Sequence, residues 1–274
     1  MSKHFFQNET LRLVLLRTYR FYARSMFWRR GPKVFINSIP KAGTHLATAI
    51  IEEVPGLMQS RLHIDMWDVH AGEEKLVPVP AFTPDVLKLR NLLATVRPGQ
   101  IATGHLPWHP DLHQVLTDMG FNIIFVIRDP EDVVMSTFHY VKGLRRHFMY
   151  QRLMTDYATD AERIEAVRRG IPARFPGDTS LEGTYDLRAR FLGWQNVTGW
   201  GAPLVLEFEN IVGKRGGGSH DARRRSIDQI IRFVGMEPSK SLIDEIDARS
   251  INKKSFTFRG GKIGEGRQSG GAIG

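Results

Sequence analysis

The chain has 274 residues, 42% hydrophobic and 24% charged, an ordinary globular composition at a length that suits one domain with a sizeable core and excludes collagen, coiled coil and long disorder. It holds no cysteine, which excludes a disulfide framework, a thiolate metal site and cysteine catalysis, and agrees with a reducing compartment. Its net charge of +9, from 38 basic and 29 acidic residues, favours anionic partners such as nucleotides, nucleic acid, acidic lipids or acidic glycans without choosing among them.

Residues 5–28 are rich in Phe, Leu, Tyr and Arg. Arg12, Arg17, Arg20 and Arg24 interrupt the apolar run, so no uncharged stretch is long enough to span a bilayer, and the segment makes a poor signal peptide. Leu11, Val14, Leu15, Tyr22 and Met26 fall near one helical face, with Arg17, Arg20 and Arg24 on another. This predicts a basic amphipathic helix, which either packs on the domain or a partner chain, or lies on a membrane surface. The division expected is an N-terminal helix over 1–30 and one domain over 31–274, in a cytoplasmic protein that the helix would bring to a membrane on the second reading.

Lys33–Ile39 reads as a buried strand ending at a Pro-Lys-Ala-Gly turn, and Thr44–Val54 as a helix. Gln100–Gly104 is a second short strand. Phe121–Ile127 is a near-continuous apolar run, as in a strand buried on both faces. Helices follow over Glu131–Tyr150 and Asp186–Val197, then a strand over Pro203–Phe208. Gly213–Asp221 reads as a flexible glycine-rich loop. Ala222–Val234 and Ser239–Arg249 close the series as helices, with a Gly- and Lys-rich coil from Ser255. No internal repeat is present. Strands alternating with helices predict an α/β fold with a mostly parallel sheet, whose ligands bind beyond the carboxyl ends of the strands.

Three polar clusters fall at such ends. In Pro40-Lys41-Ala42-Gly43-Thr44-His45, Gly43 lets the backbone approach a ligand and the following helix presents N–H groups and a positive dipole end. Thr44 adds a hydroxyl, and Lys41 reaches phosphate oxygens. The alternative is a plain helix-start turn. In Arg128-Asp129-Pro130-Glu131-Asp132, Arg128 can clamp a phosphate or serve as an ion-pair partner, Asp129 can cap the helix with Pro130 at its first position, and Ser136 lies roughly two turns in. In Gly104-His105-Leu106-Pro107, His105 is placed to act as a general base, with His63, His70, His109, His113 and His139 as rivals. A fourth cluster, Phe258-Arg259-Gly260-Gly261-Lys262-Ile263-Gly264, is either a basic loop that folds over an anion or a basic tail.

Taken together and in this order, the four clusters resemble the cytosolic-type sulfotransferase family, its bacterial members more than its animal ones. The resemblance implies a P-loop-like three-layer fold, a central mostly parallel sheet flanked by helices. It implies the donor 3′-phosphoadenosine 5′-phosphosulfate and the product 3′,5′-bisphosphoadenosine. His105 would deprotonate the acceptor, and Lys41 would stabilise charge on the leaving phosphate oxygen. Lys41, Ala42, Gly43, Thr44, His45 and Leu46 would surround the 5′ end, Arg128 and Ser136 would hold the 3′-phosphate, and Phe208 would lie at the nucleotide. Arg259, Gly260 and Gly261 would close over it, and no metal is called for. Leu46, Thr103, Phe208, Gly260 and Gly266 depart from the animal pattern, which has Trp, Lys, Tyr, Lys and Trp there. The acceptor would be a small molecule, lipid or glycan, bound by the segments Leu57–Phe82 and Lys142–Tyr185. Two other readings stand beside this one. An ATP-dependent P-loop phosphotransferase would need glycines before its lysine and Ser or Thr directly after, whereas Ala42 follows Lys41. A non-catalytic anion- or membrane-binding module would rest on the N-terminal helix; no nucleic-acid motif is present.

Overall fold

The computed structural model describes residues 31–72, 82–175 and 178–252, together with Val14, Leu15 and Thr18. In chain order the strands are Lys33–Ser38 (β1), Met58–Asp65 (β2), Gln100–His105 (β3), Phe121–Ile127 (β4), the short pair Gly170–Ile171 (β5) and Leu181–Glu182 (β6), and Leu204–Glu207 (β7). The helices are Thr44–Ile51 (α1), Val86–Leu93 (α2), Pro110–Asp118 (α3), Pro130–Gly143 (α4), Tyr150–Thr155 (α5), Asp160–Arg169 (α6), Thr184–Phe191 (α7), Phe208–Val212 (α8), His220–Phe233 (α9) and Lys240–Asn252 (α10).

Five strands form one parallel sheet in the order β2-β3-β1-β4-β7. The most buried strands, β1 and β4, lie at its centre, where both faces are covered. Their side chains alternate between two cores, as the strand period of two requires. Phe35, Ile123 and Phe125 face one core with Leu89 and Leu93 of α2, Leu112 and Leu116 of α3, and Trp194. Val34, Ile36, Ile124 and Val126 face the other with Ile50 and Ile51 of α1, Ile227 and Ile231 of α9, and Ile246 of α10. A third cluster joins Val134, Phe138 and Val141 of α4 to Leu153 of α5 and Val167 of α6. The expected α/β architecture, a parallel sheet between layers of helices, is present.

Several elements differ from expectation. The helix read over Glu131–Tyr150 is two, α4 ending at Gly143 and α5 starting at Tyr150. The helix read through Val197 turns 3₁₀ at Leu192–Asn196 after Phe191. The glycine-rich stretch holds a 3₁₀ turn at Gly213–Gly216, and α9 starts within it at His220, capped by the Ser219 hydroxyl that accepts from the Ala222 amide. Strand β2 and helices α2, α3 and α6 have no counterpart among the expected elements. The N-terminal amphipathic helix and the Arg259–Gly264 cluster lie outside the described residues, apart from Val14, Leu15 and Thr18, which are helical and exposed. No helix among the described residues is long and apolar enough to cross a membrane.

Candidate active site

The carboxyl ends of all five parallel strands carry polar residues. The turn after β1 begins with Ile39, whose carbonyl accepts from the Ala42 amide at 3.0 Å. Lys41 sits at φ 69° and Gly43 at φ 108°, the second far outside what a side chain tolerates comfortably. Space enforces the glycine as well. A Cβ there would lie 2.3 Å from Cδ2 of Phe208. Gly43 is thus the point where the loop after β1 presses against the start of α8, and α1 begins at Thr44 with no side-chain cap at Gly43.

Phe208, 8% exposed, holds this junction from the β7 side. The Arg128 guanidinium stacks on its ring at 4.2 Å, and Nη1 of Arg128 donates to the Lys41 carbonyl at 2.9 Å. One arginine after β4 therefore braces the β1 loop and the β7 end together. Asp129 caps α4 as the sequence implied, its carboxylate accepting from the amides of Glu131 and Asp132, with Pro130 at the first helical position. Ser136 lies half-buried further along α4. The Lys41 ammonium rests 3.6 Å above the Tyr140 ring of the same helix. His147 stands edge-on to Tyr140 at 5.5 Å, and burial, then the field of Lys41, holds it below the usual histidine range. Leu46 is partly buried against the core beneath α1.

His105 ends β3, next to β1. Its Nδ1 lies 2.8 Å from the Ser38 carbonyl. A carbonyl only accepts, so the ring proton sits on Nδ1 and Nε2 is left with a bare lone pair. The Ser38 hydroxyl, 3.4 Å from the same nitrogen, also bonds the Thr44 hydroxyl at 2.5 Å, which ties the histidine to the start of α1. Behind the ring, buried Asn37 accepts from the Leu106 amide (2.9 Å) and donates to the Leu106 carbonyl (2.8 Å), which also takes the Trp194 indole N–H. The backbone after His105 is thereby fixed to β1, as Gly104 before it is by the strand pairing. Burial, then the neighbouring His63, lowers the His105 pKa to about 4, against smaller opposing contributions from Asp65 and the Ser38 bond. The ring is neutral at physiological pH. His45 is also held below the usual range, by burial first and then by His63 and Lys41.

The residues missed in the sequence come from β2. In register, His63 lies beside Thr103 and Asp65 beside His105. The period of two puts His63 and Asp65 on one face of the strand. His63 stands edge-on to His105, ring centroids 4.8 Å apart, and its Nε2 is 3.4 Å from Asp65. Burial pushes the Asp65 carboxyl up, but the hydrogen bond from His63 and the fields of His105 and His63 outweigh it, so its pKa is lowered. The sequence offers His63 only as a rival base and as part of an acceptor segment; Asp65 carries no expectation. The alternation Ser60, Leu62, Ile64 inward against Arg61, His63 outward was the available signal. The other rivals stand apart: His70 bonds the Thr83 amide, His109 caps α3, His113 bonds the Gly201 carbonyl, and His139 is exposed on α4 beside the Phe138 ring.

A family model described as "Sulfotransferase domain" matches residues 31–171, a little over half of the chain. No curated protein sequence matches it. Among solved structures, mouse sulfotransferase SULT7A1, complexed with PAP, is similar at 19% identity and TM-score 0.50, over 84% of this chain and 68% of that one. Retinol dehydratase in complex with androsterone and the inactive cofactor PAP aligns at 17% identity and TM-score 0.46, covering 86% of this chain and 68% of that one. The sulfotransferase domain of the Synechococcus PCC 7002 olefin synthase aligns at 16% identity and TM-score 0.42, covering 87% and 88%. The first of these likenesses speaks for the fold.

Proposed function

The chain belongs to the sulfotransferase domain family, and on that premise we propose that it transfers a sulfuryl group from 3′-phosphoadenosine 5′-phosphosulfate to a hydroxyl or amine of a small-molecule, lipid or glycan acceptor. The observation that carries the reading is His105 at the end of β3, locked by the Ser38 carbonyl with Nε2 bare, beside the glycine turn after β1 that packs on Phe208 at Gly43. That loop suits a phosphate: glycine allows close approach, a helix N-terminus follows, and Lys41 and Arg128 flank it.

The donor supplies an activated sulfuryl group on a phosphate leaving group. The chain's residues do the rest. Nε2 of His105 takes the proton of the attacking hydroxyl or amine. Lys41 leaves the Tyr140 face and offsets the charge that grows on the leaving phosphate oxygen. Thr44, His45 and the first N–H groups of α1 hold the 5′-phosphate. Arg128 and Ser136 hold the 3′-phosphate, with Arg259, Gly260 and Gly261 closing over it. In this reading Phe208, where animal members carry Tyr, keeps Arg128 in place by stacking, and Leu46 and Thr103 set the chain apart from animal members. On the same reading residues 1–30 would be a basic helix preceding the domain, 31–274, packed on the domain or a partner chain or lying on a membrane surface. Sulfuryl transfer is tested with labelled donor and a panel of phenols, lipids and glycans. Labelled acceptor should form with the wild type and not with His105→Ala, which should still bind 3′,5′-bisphosphoadenosine. Equal transfer by His105→Ala would remove the histidine from the chemistry.

A further inference from the structure

The β2 residues beside His105 form an arrangement that general-base catalysis does not use. The Thr103 hydroxyl donates to the Leu62 carbonyl at 3.4 Å. The same hydroxyl shares a shorter hydrogen bond, 2.8 Å, with Nδ1 of His63. Nε2 of His63 lies 3.4 Å from the Asp65 carboxylate: it donates to Asp65 in one tautomer, and in the other, with the proton on Nδ1, it turns a lone pair toward the same space. Nε2 of His105 is bare for the reason given above. Three Lewis bases therefore converge, with one ligand atom from each of His63, Asp65 and His105 within 4.8 Å of the others. With the His63 proton on Nδ1, two imidazole lone pairs and a carboxylate face one another, an arrangement that a cation between them stabilises.

We propose that His63, Asp65 and His105 form a three-ligand site for a divalent first-row metal of the zinc class. Three features support it. The ligand set, two imidazoles and a carboxylate, suits such a metal. The 3.4 Å between His63 and Asp65 matches the edge of a tetrahedron with bonds of about 2.0–2.1 Å, roughly 3.3–3.4 Å. Each imidazole also has its Nδ1 at hydrogen-bond distance from a fixed oxygen, the Thr103 hydroxyl or the Ser38 carbonyl, the outer-shell pattern that orients metal-bound histidines. The His63 and Asp65 side chains are 42% and 46% exposed, so an ion reaches them from solvent and the fourth position stays open. A metal there takes the lone pair of His105, so it acts as a reversible competitor of the base. That consequence rests on the proposed function; the site itself does not.

The test uses the metal alone. Full-length protein, freed of metal with a chelator, is titrated with Zn²⁺ by calorimetry and with Co²⁺ by visible absorption, beside His63→Ala, Asp65→Asn and the remote His113→Ala. One equivalent should bind, with tetrahedral-type Co²⁺ bands. Affinity should fall at least tenfold in His63→Ala and Asp65→Asn and stay unchanged in His113→Ala. Circular dichroism confirms that each variant is folded. No binding by the wild type, or binding indifferent to both β2 substitutions, overturns the site: the first means that a proton alone fills it, the second that the metal sits on other histidines. Titration of the same variants with 3′,5′-bisphosphoadenosine separates the two readings, because the donor residues do not include His63 or Asp65.

Discussion

Gly43→Ala tests the junction on which the site is built. Two costs are expected. At φ 108° an alanine is strained by about 1–3 kcal/mol. Its Cβ would also meet Phe208 at 2.3 and 2.8 Å, and overpacking of this kind costs about 1–3 kcal/mol more. Gly120→Ala separates the two, because Gly120 has φ 73° and nothing within 4 Å of its would-be Cβ; it should cost only about 1–2 kcal/mol. The excess in Gly43→Ala, about 1–3 kcal/mol, corresponds to roughly 2–12 °C in Tm for a chain of this class. The collision also pushes Phe208 away from Arg128, so Gly43→Ala should lose affinity for 3′,5′-bisphosphoadenosine and Gly120→Ala should not. Thermal melts and calorimetric titration of both variants decide it. If Gly43→Ala is as mild as Gly120→Ala in both assays, the reasoning about this junction is wrong.

Three further outcomes follow from buried or bridging polar groups. Asn37→Ala strips the Leu106 amide of its partner and should cost about 1–3 kcal/mol in chemical denaturation, with a displaced His105 ring resonance; an unshifted resonance would separate Asn37 from the positioning of His105. Arg223, 3% exposed, bonds Asp247, the Ile211 carbonyl and Ser250. Arg223→Ala leaves Asp247 buried with only His220 at 3.3 Å and should cost about 3–5 kcal/mol, much of which an Asp247→Leu change in the same chain should restore. Glu131 is held below its ordinary pKa by its bond from Arg168, against burial, and then by Tyr185. Its contribution is therefore present above the unfolded carboxyl range and lost as pH falls through the depressed folded value. Arg168→Met should move the midpoint of acid unfolding, followed by circular dichroism, to higher pH; an unmoved midpoint would count against the link.

The sequence made the centre of the fold readable and its edges less so. β4 is apolar at every position but Asn122, and β1 carries the apolar run Val34–Ile36, because both faces of each are covered; runs that short and that apolar leave no polar face for an amphipathic helix. The turn at Pro40–Thr44, the cap at Asp129 and the histidine after β3 could be placed because each follows such a strand. β2 is an edge strand with a register shift between Gln59 and His63 and a positive φ of 63° at Arg61. Only every second residue is buried, and polar Arg61, His63 and Asp65 hid the pattern. The break between α4 and α5 was masked because both feed one core: Val134, Phe138 and Val141 are continued by Met149 and Leu153. Arg145, where the next apolar position would fall, was the available sign. Phe208 stands out in the sequence for its place after a strand, but its contacts with Gly43 and Arg128 join three distant segments and needed the fold.

The central claim is a donor site made by the loop after β1 and by Arg128. Calorimetric titration of the full chain with 3′,5′-bisphosphoadenosine, without metal and beside Lys41→Ala and Arg128→Ala, tests it most directly. Binding at micromolar affinity or tighter, weakened at least tenfold in both variants and not matched by ATP, is the expected result. No binding by the wild type, or binding unchanged in both variants, would contradict it.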